Sequence, residues 1–111
     1  MIINKYSVMF NFLFGFGKNK IKNALRKDAV IIDVRTPQEY DRGKVAGSIN
    51  IPVDRIQISI GRIKEMKKPV VLCCASGARS AMAKQLLKSA GIEEVYNGGS
   101  WESVAKICNQ L

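Results

Sequence analysis

Cys74 closes an apolar run, Val70-Val71-Leu72-Cys73, and is followed by Ala75-Ser76-Gly77-Ala78-Arg79-Ser80. A thiol, a glycine and an arginine at this spacing suit a cysteine nucleophile that is activated without a base. The thiolate is the reactive form, and nearby cations, backbone N–H groups or a helix N-terminus favour it. The chain contains no histidine, which excludes Cys–His pairs and Ser–His–Asp triads. Activation must therefore be electrostatic. A loop that runs from a buried strand straight into a helix points successive N–H groups into one concavity. Gly77 lets the backbone turn there without a Cβ clash. The helix N-terminus adds about half a positive charge, and Arg79 adds a full one on a planar fork of donors. An isolated cysteine at a strand end is usually just a small buried apolar group. The residues that follow Cys74 are what turn it into a candidate nucleophile.

The elements that must hold this loop are legible around it. Ala29-Val30-Ile31-Ile32, running on to Asp33-Val34-Arg35, reads as a buried strand. Val70 to Cys73 reads as a second. Ile21, Ala24 and Leu25 fall at helical spacing, predicting a short helix that reaches about Lys27. Thr36-Pro37-x-Glu39 has the form of a capping box with proline in the first turn, and Gly43 ends that short helix. Ile56, Ile60 and Ile63 predict an amphipathic helix from Val53 to about Met66. Arg79 to Ala90 forms another, with Met82, Ala83, Leu86, Leu87 and Ala90 on its apolar face and Gly91 after it. Glu94-Val95-Tyr96 reads as a short strand, Asn97-Gly98-Gly99 as a tight turn, and Trp101 to Leu111 as a closing helix. Strands alternating with helices predict an α/β fold, a parallel sheet covered by helices on both faces. Ligands of such sheets bind at the carboxyl ends of the strands, where Cys74 lies.

Composition sets the frame. The 111 residues are 47% hydrophobic and 24% charged, room for one compact domain and no second. That domain is expected over residues 18–111, behind a hydrophobic N-terminal extension at 1–17. The extension holds Val8-Met9-Phe10-Asn11-Phe12-Leu13-Phe14-Gly15-Phe16, too short for a bilayer-crossing helix, which needs about 20 apolar residues. The favoured reading is that these aromatics fold back as extra core. A membrane-facing patch and an export signal are the two alternatives. Three cysteines form no even disulfide framework, so a cytoplasmic location is expected, with export or membrane association through the N-terminal segment as the alternative. No C-x-x-C pair is present, and no metal site is expected. The formal charge of +9 comes from scattered lysines and arginines without interleaved aromatics. It reads as a solvated basic surface, and no nucleic-acid partner is expected.

Cys74-x-x-Gly77-x-Arg79-Ser80 resembles the active-site loop of the rhodanese family. Ile32-Asp33-Val34-Arg35-Thr36-Pro37-x-Glu39-Tyr40, continuing to Gly43-x-x-x-Gly47-Ser48-Ile49-Asn50-Ile51-Pro52, resembles that family's N-terminal signature. Val95-Tyr96-Asn97-Gly98-Gly99 with Trp101 resembles its C-terminal one. The three matches come in the family's order and run from about Val30 to Trp101.

The resemblance implies a rhodanese-like fold and a sulfurtransferase. Cys74 would take sulfane sulfur from thiosulfate or a persulfide donor as a persulfide, with no other cofactor, and pass it to a thiol or cyanide. Residues 75–80 would form the substrate and anion-binding loop, with Arg79 steering the anion, while Asp33 and Arg35 support the site. Two departures stand out: Lys44 occupies a position where the family usually has histidine, and Trp101 follows the glycine pair more closely than usual. Arg79 is also the loop's only cation, which disfavours dianionic thiosulfate against a persulfide donor.

Two alternatives remain open. One is a non-catalytic rhodanese-like binding module. The other is a cysteine-dependent phosphatase, because Cys73-x5-Arg79 has the phosphatase spacing whereas Cys74-x4-Arg79 has the sulfurtransferase one. The position of Gly77, three residues after Cys74, and Leu72 in place of a phosphatase histidine favour Cys74.

Overall fold

A computed structural model of the chain describes residues 17–111. Its elements are α1 (Gly17–Arg26), β1 (Val30–Asp33), α2 (Pro37–Asp41), β2 (Ile49–Asn50), a 3-10 turn (Val53–Arg55), α3 (Ile56–Met66), β3 (Val70–Cys74), α4 (Ala78–Ser89), β4 (Val95–Ser100) and α5 (Trp101–Cys108). The readings of residues 8–16 lie outside the described residues. Among those described, no helix is long and apolar enough to cross a membrane.

The four strands are all parallel, in the order β2-β1-β3-β4. In β3 every residue is buried, as a strand covered on both faces requires. The pleat divides them. Val70, Leu72 and Cys74 join a core with Ile56 and Ile63 of α3 and Ala83 and Leu87 of α4. Val71 and Cys73 join another with Ile21 and Ala24 of α1 and Val104 and Ile107 of α5. Helices thus cover both faces of a parallel sheet, the expected α/β architecture.

Local chemistry sets the element ends. Thr36 caps α2 by accepting from the Glu39 N–H, and Glu39 accepts in turn from the Thr36 N–H, with Pro37 in the first turn. The stretch expected as one helix from Val53 starts as a 3-10 turn and becomes α-helical only at Ile56.

Two expectations need correction. Asn97-Gly98-Gly99 is no tight turn but the middle of β4. From Leu72↔Asn97 to Cys74↔Ser100 the strand holds one more residue than β3 opposite it, a bulge that accommodates the glycines. A Cβ on Gly98 would lie 2.5 Å from Val104 Cγ2 and 3.0 Å from the Leu72 carbonyl oxygen. Close packing, not turning, requires glycine there. Met82, expected in the apolar face of α4, is 58% exposed. Ala83 and Leu87, four residues apart, carry that contact, and Met82 lies about 100° around the helix from Ala83.

Candidate active site

Cys74 is the last residue of β3, and the loop 75–77 leads directly into α4. Gly77 occupies the N-cap position at φ 106°, and no side chain caps the helix. The N–H of the N-cap residue itself is taken by the cysteine: Gly77 N–H donates to Cys74 Sγ at 2.9 Å. Gly77 is doubly constrained, because a Cβ there would also approach the Gly99 Cα to 3.3 Å. The loop's far side is tied to the β4 bulge. Asn97 Nδ2 donates to the Gly77 carbonyl at 3.0 Å, and Asn97 Oδ1 accepts from the Gly99 N–H at 2.9 Å.

Burial by itself pushes the Cys74 thiol up. The Ser80 hydroxyl and the N–H groups of Ser80, Gly77 and Ser76 outweigh that and hold it below its ordinary value. Ser80 is fully buried, and its Oγ makes no hydrogen bond of good geometry. We therefore assign its effect on the sulfur to the nearby hydroxyl dipole, which is free to turn its proton toward a thiolate. Cys73 presents the opposite case. It is fully buried on the α1–α5 side, and burial, followed by the Asp33 carboxylate, pushes its thiol up to about 12.

Arg79 lies in the first turn of α4, and its guanidinium is engaged. Nη1 donates to Glu39 Oε1 at 2.7 Å and Nη2 to Oε2 at 3.0 Å, a bidentate pair with both side chains about a third exposed. Arg79, and secondarily the Thr36 N–H, lower the Glu39 carboxyl to about 2. The loop's one cation therefore faces a fixed carboxylate.

Asp33 and Arg35 make a buried ion pair. Arg35 Nε donates to both Asp33 oxygens at 2.9 and 3.0 Å, and Nη2 donates to Oδ2 at 2.7 Å. The guanidinium also donates to the carbonyls of Gly43 at 2.6 Å and Glu39 at 3.2 Å. It lies 4.9 Å from the centre of the Trp101 ring, which closes on Gly43. The pair braces α2 against the end of β1, and α2 carries Glu39. Lys44 stands over the Tyr40 ring at 4.8 Å. Ala75, Ser76 and Ala78 are exposed around the loop. A groove of about 490 Å³ runs past Ser76 and Gly77 between Lys18 and Ser103.

The structure thus brings Cys74, residues 75–80 and the Asp33–Arg35 brace to one end of the sheet. Two residues of the site are not legible in sequence. Glu39 reads fully as a helix cap and Asn97 as a turn residue, and neither reading hints at a partner on the loop.

The model of the rhodanese-like domain matches residues 18–106. The chain belongs to the rhodanese-like domain family. Thiosulfate sulfurtransferase PspE of Escherichia coli K12 is 33% identical over 75 residues, covering 67% of this chain and 72% of that one. Uncharacterized protein YqhL of Bacillus subtilis is 38% identical over 71 residues, 64% of this chain, and the match spans only 56% of YqhL. Among solved structures, a rhodanese with anions from E. coli superposes with a TM-score of 0.65 at 33% identity, covering 69% of this chain and 92% of that one. In this rhodanese-like domain the three sequence signatures meet at one place: the loop after β3, the brace after β1 and the bulged β4 beside them.

Proposed function

We propose that this rhodanese-like protein is a sulfurtransferase that carries sulfane sulfur on Cys74, from thiosulfate or a persulfide donor to a thiol or cyanide. The observation that carries this reading is the Gly77 N–H donating to Cys74 Sγ at 2.9 Å, in a loop whose donors hold the thiol below its ordinary value. With thiosulfate, the thiolate attacks the sulfane sulfur, the S–S bond breaks, and sulfite leaves with the bonding pair. Cys74 then carries a persulfide anion, which the loop N–H groups that held the thiolate can also stabilise. A cyanide or thiolate acceptor takes the outer sulfur and returns the Cys74 thiolate. Each step exchanges one bond for another, and charge is conserved throughout.

The sealed position of Cys73, with its thiol pushed up to about 12, argues against the phosphatase spacing. The deciding experiment is mass spectrometry of the peptide containing Cys73 and Cys74 after incubation with a sulfane donor. One added sulfur on Cys74, removed again by cyanide with release of thiocyanate, is the expected result. A peptide that gains no sulfur from either thiosulfate or a persulfide would overturn the reading and leave a binding module.

A further inference from the structure

Glu39 alters what the loop alone would offer a substrate. Its carboxylate meets Arg79 through bonds of 2.7 and 3.0 Å, and the Thr36 N–H holds Oε1 at 3.1 Å. Arg35 fixes the same residue's carbonyl at 3.2 Å. The acid is held by its side chain and by its backbone. It also stays ionised at neutral pH, because its carboxyl is held down to about 2 by Arg79 first and the Thr36 N–H second.

The charge balance at the nucleophile follows. Arg79 is the only charged side chain in the segment 74–80, and Glu39 cancels it. Among the described residues, what then faces Cys74 is chiefly the array of backbone N–H groups, equivalent to about half a positive charge at a helix N-terminus. Lys18 borders the groove beside Ser76 and Gly77, but it is exposed, and water and salt screen it. A dianion meeting the thiolate would bring three negative charges to that array. A neutral persulfide brings only the thiolate's own.

Resting on the sulfurtransferase reading above, we infer that Glu39 is a specificity-determining residue: it withholds the Arg79 charge from dianions and so selects a persulfide, R–S–SH, over thiosulfate as the sulfur donor. In that reaction the Cys74 thiolate attacks the outer sulfur, the S–S bond of the donor breaks, and R–S⁻ leaves with the bonding pair. The proton stays on the transferred sulfur until solvent takes it.

The test uses Glu39→Gln, which keeps a side chain able to close the capping box but removes the charge. Two readouts are taken at matched ionic strength. The first is protection of Cys74 from iodoacetamide by sulfate, an inert dianion. The second is kcat/KM with thiosulfate and with the persulfide of 2-mercaptoethanol, whose carrier has no charge of its own. Glu39→Gln should bind sulfate about tenfold more tightly, the scale of one unit charge several ångströms away at an intermediate dielectric. Its thiosulfate kcat/KM should rise similarly, mainly through KM, while the persulfide value stays within about threefold.

Unchanged sulfate affinity would overturn the inference, and so would a parallel fall with both donors, which would make Glu39 merely a scaffold. Glu39→Ala repeats the titration if the Gln variant does not fold. Sulfate binding does not require turnover. A protein that binds sulfate as expected but never acquires sulfur would therefore refute the transfer reaction while leaving the charge selection established.

Discussion

Cys73 and Cys74 share a strand and a peptide bond, and the pleat of β3 sends one to each face of the sheet. On the α1–α5 face, Cys73 is surrounded by Val71, Val104 and Ile107. Among the described residues none donates a hydrogen bond to its sulfur, and its thiol is pushed up to about 12, by burial first and by the Asp33 carboxylate second. On the α3–α4 face, Cys74 is almost as buried, at 1% exposure. It nevertheless sits where the strand ends and the loop N–H groups turn inward, and its thiol falls below its ordinary value. Exposed area is nearly the same for both, so it does not by itself separate the two thiols. The supply of backbone donors does.

The strongest way to break this comparison is to exchange the sulfurs one at a time. Cys74→Ser should abolish thiocyanate formation, and Cys73→Ser should keep most of it. The opposite pattern would move the nucleophile to the sealed face and revive the phosphatase spacing.

A second test separates the thiols by pH. Alkylation of Cys74 by iodoacetamide should level off at a lower pH than that of a free cysteine, because only thiolate reacts and its donors already favour that form. Cys73 should stay unmodified until pH approaches about 12 or the protein unfolds. Peptide mapping that finds both cysteines labelled together at neutral pH would erase the distinction.

A smaller effect probes how tightly the unreactive face is closed. Gly98→Ala puts a methyl group against Val104 and the Leu72 carbonyl, and overpacking of this kind costs about 1–3 kcal/mol. Urea denaturation should show a loss in that range. A fully stable variant would mean that the face is looser than described and that Cys73 is shielded less by packing than by its lack of donors.

Local signals made most of the fold legible. The capping box at Thr36 and Glu39, the runs at 30–33 and 70–74, and the spacing of Ile56 and Ile63 each specify their element from a few neighbouring residues. The site was legible to the same depth: Cys74, Gly77 and the strand-to-helix turn are contiguous. What escaped is non-local. Asn97-Gly98-Gly99 has the composition of a turn, and only pairing with β3 and contact with Val104 make it a strand. Met82 satisfies helical periodicity, but the neighbouring elements reach only the stripe through Ala83 and Leu87. Arg79 reads as a free cation until the fold brings up Glu39, which lies 40 residues earlier in the chain. Glu39 was hidden because its capping role already explains its presence.

The placement of the cysteines on opposite faces also governs how the protein meets oxidants. Cys108 packs on the same side as Cys73, so both other thiols of the chain lie across the sheet from Cys74. Side chains that diverge in this way cannot be bridged without moving the backbone. A sulfenic acid formed on Cys74 therefore has no internal thiol with which to condense, and its rescue from irreversible sulfinic acid depends on a thiol arriving from solution. Such a thiol must reach the sulfur through the loop, the same approach an acceptor of sulfur would use.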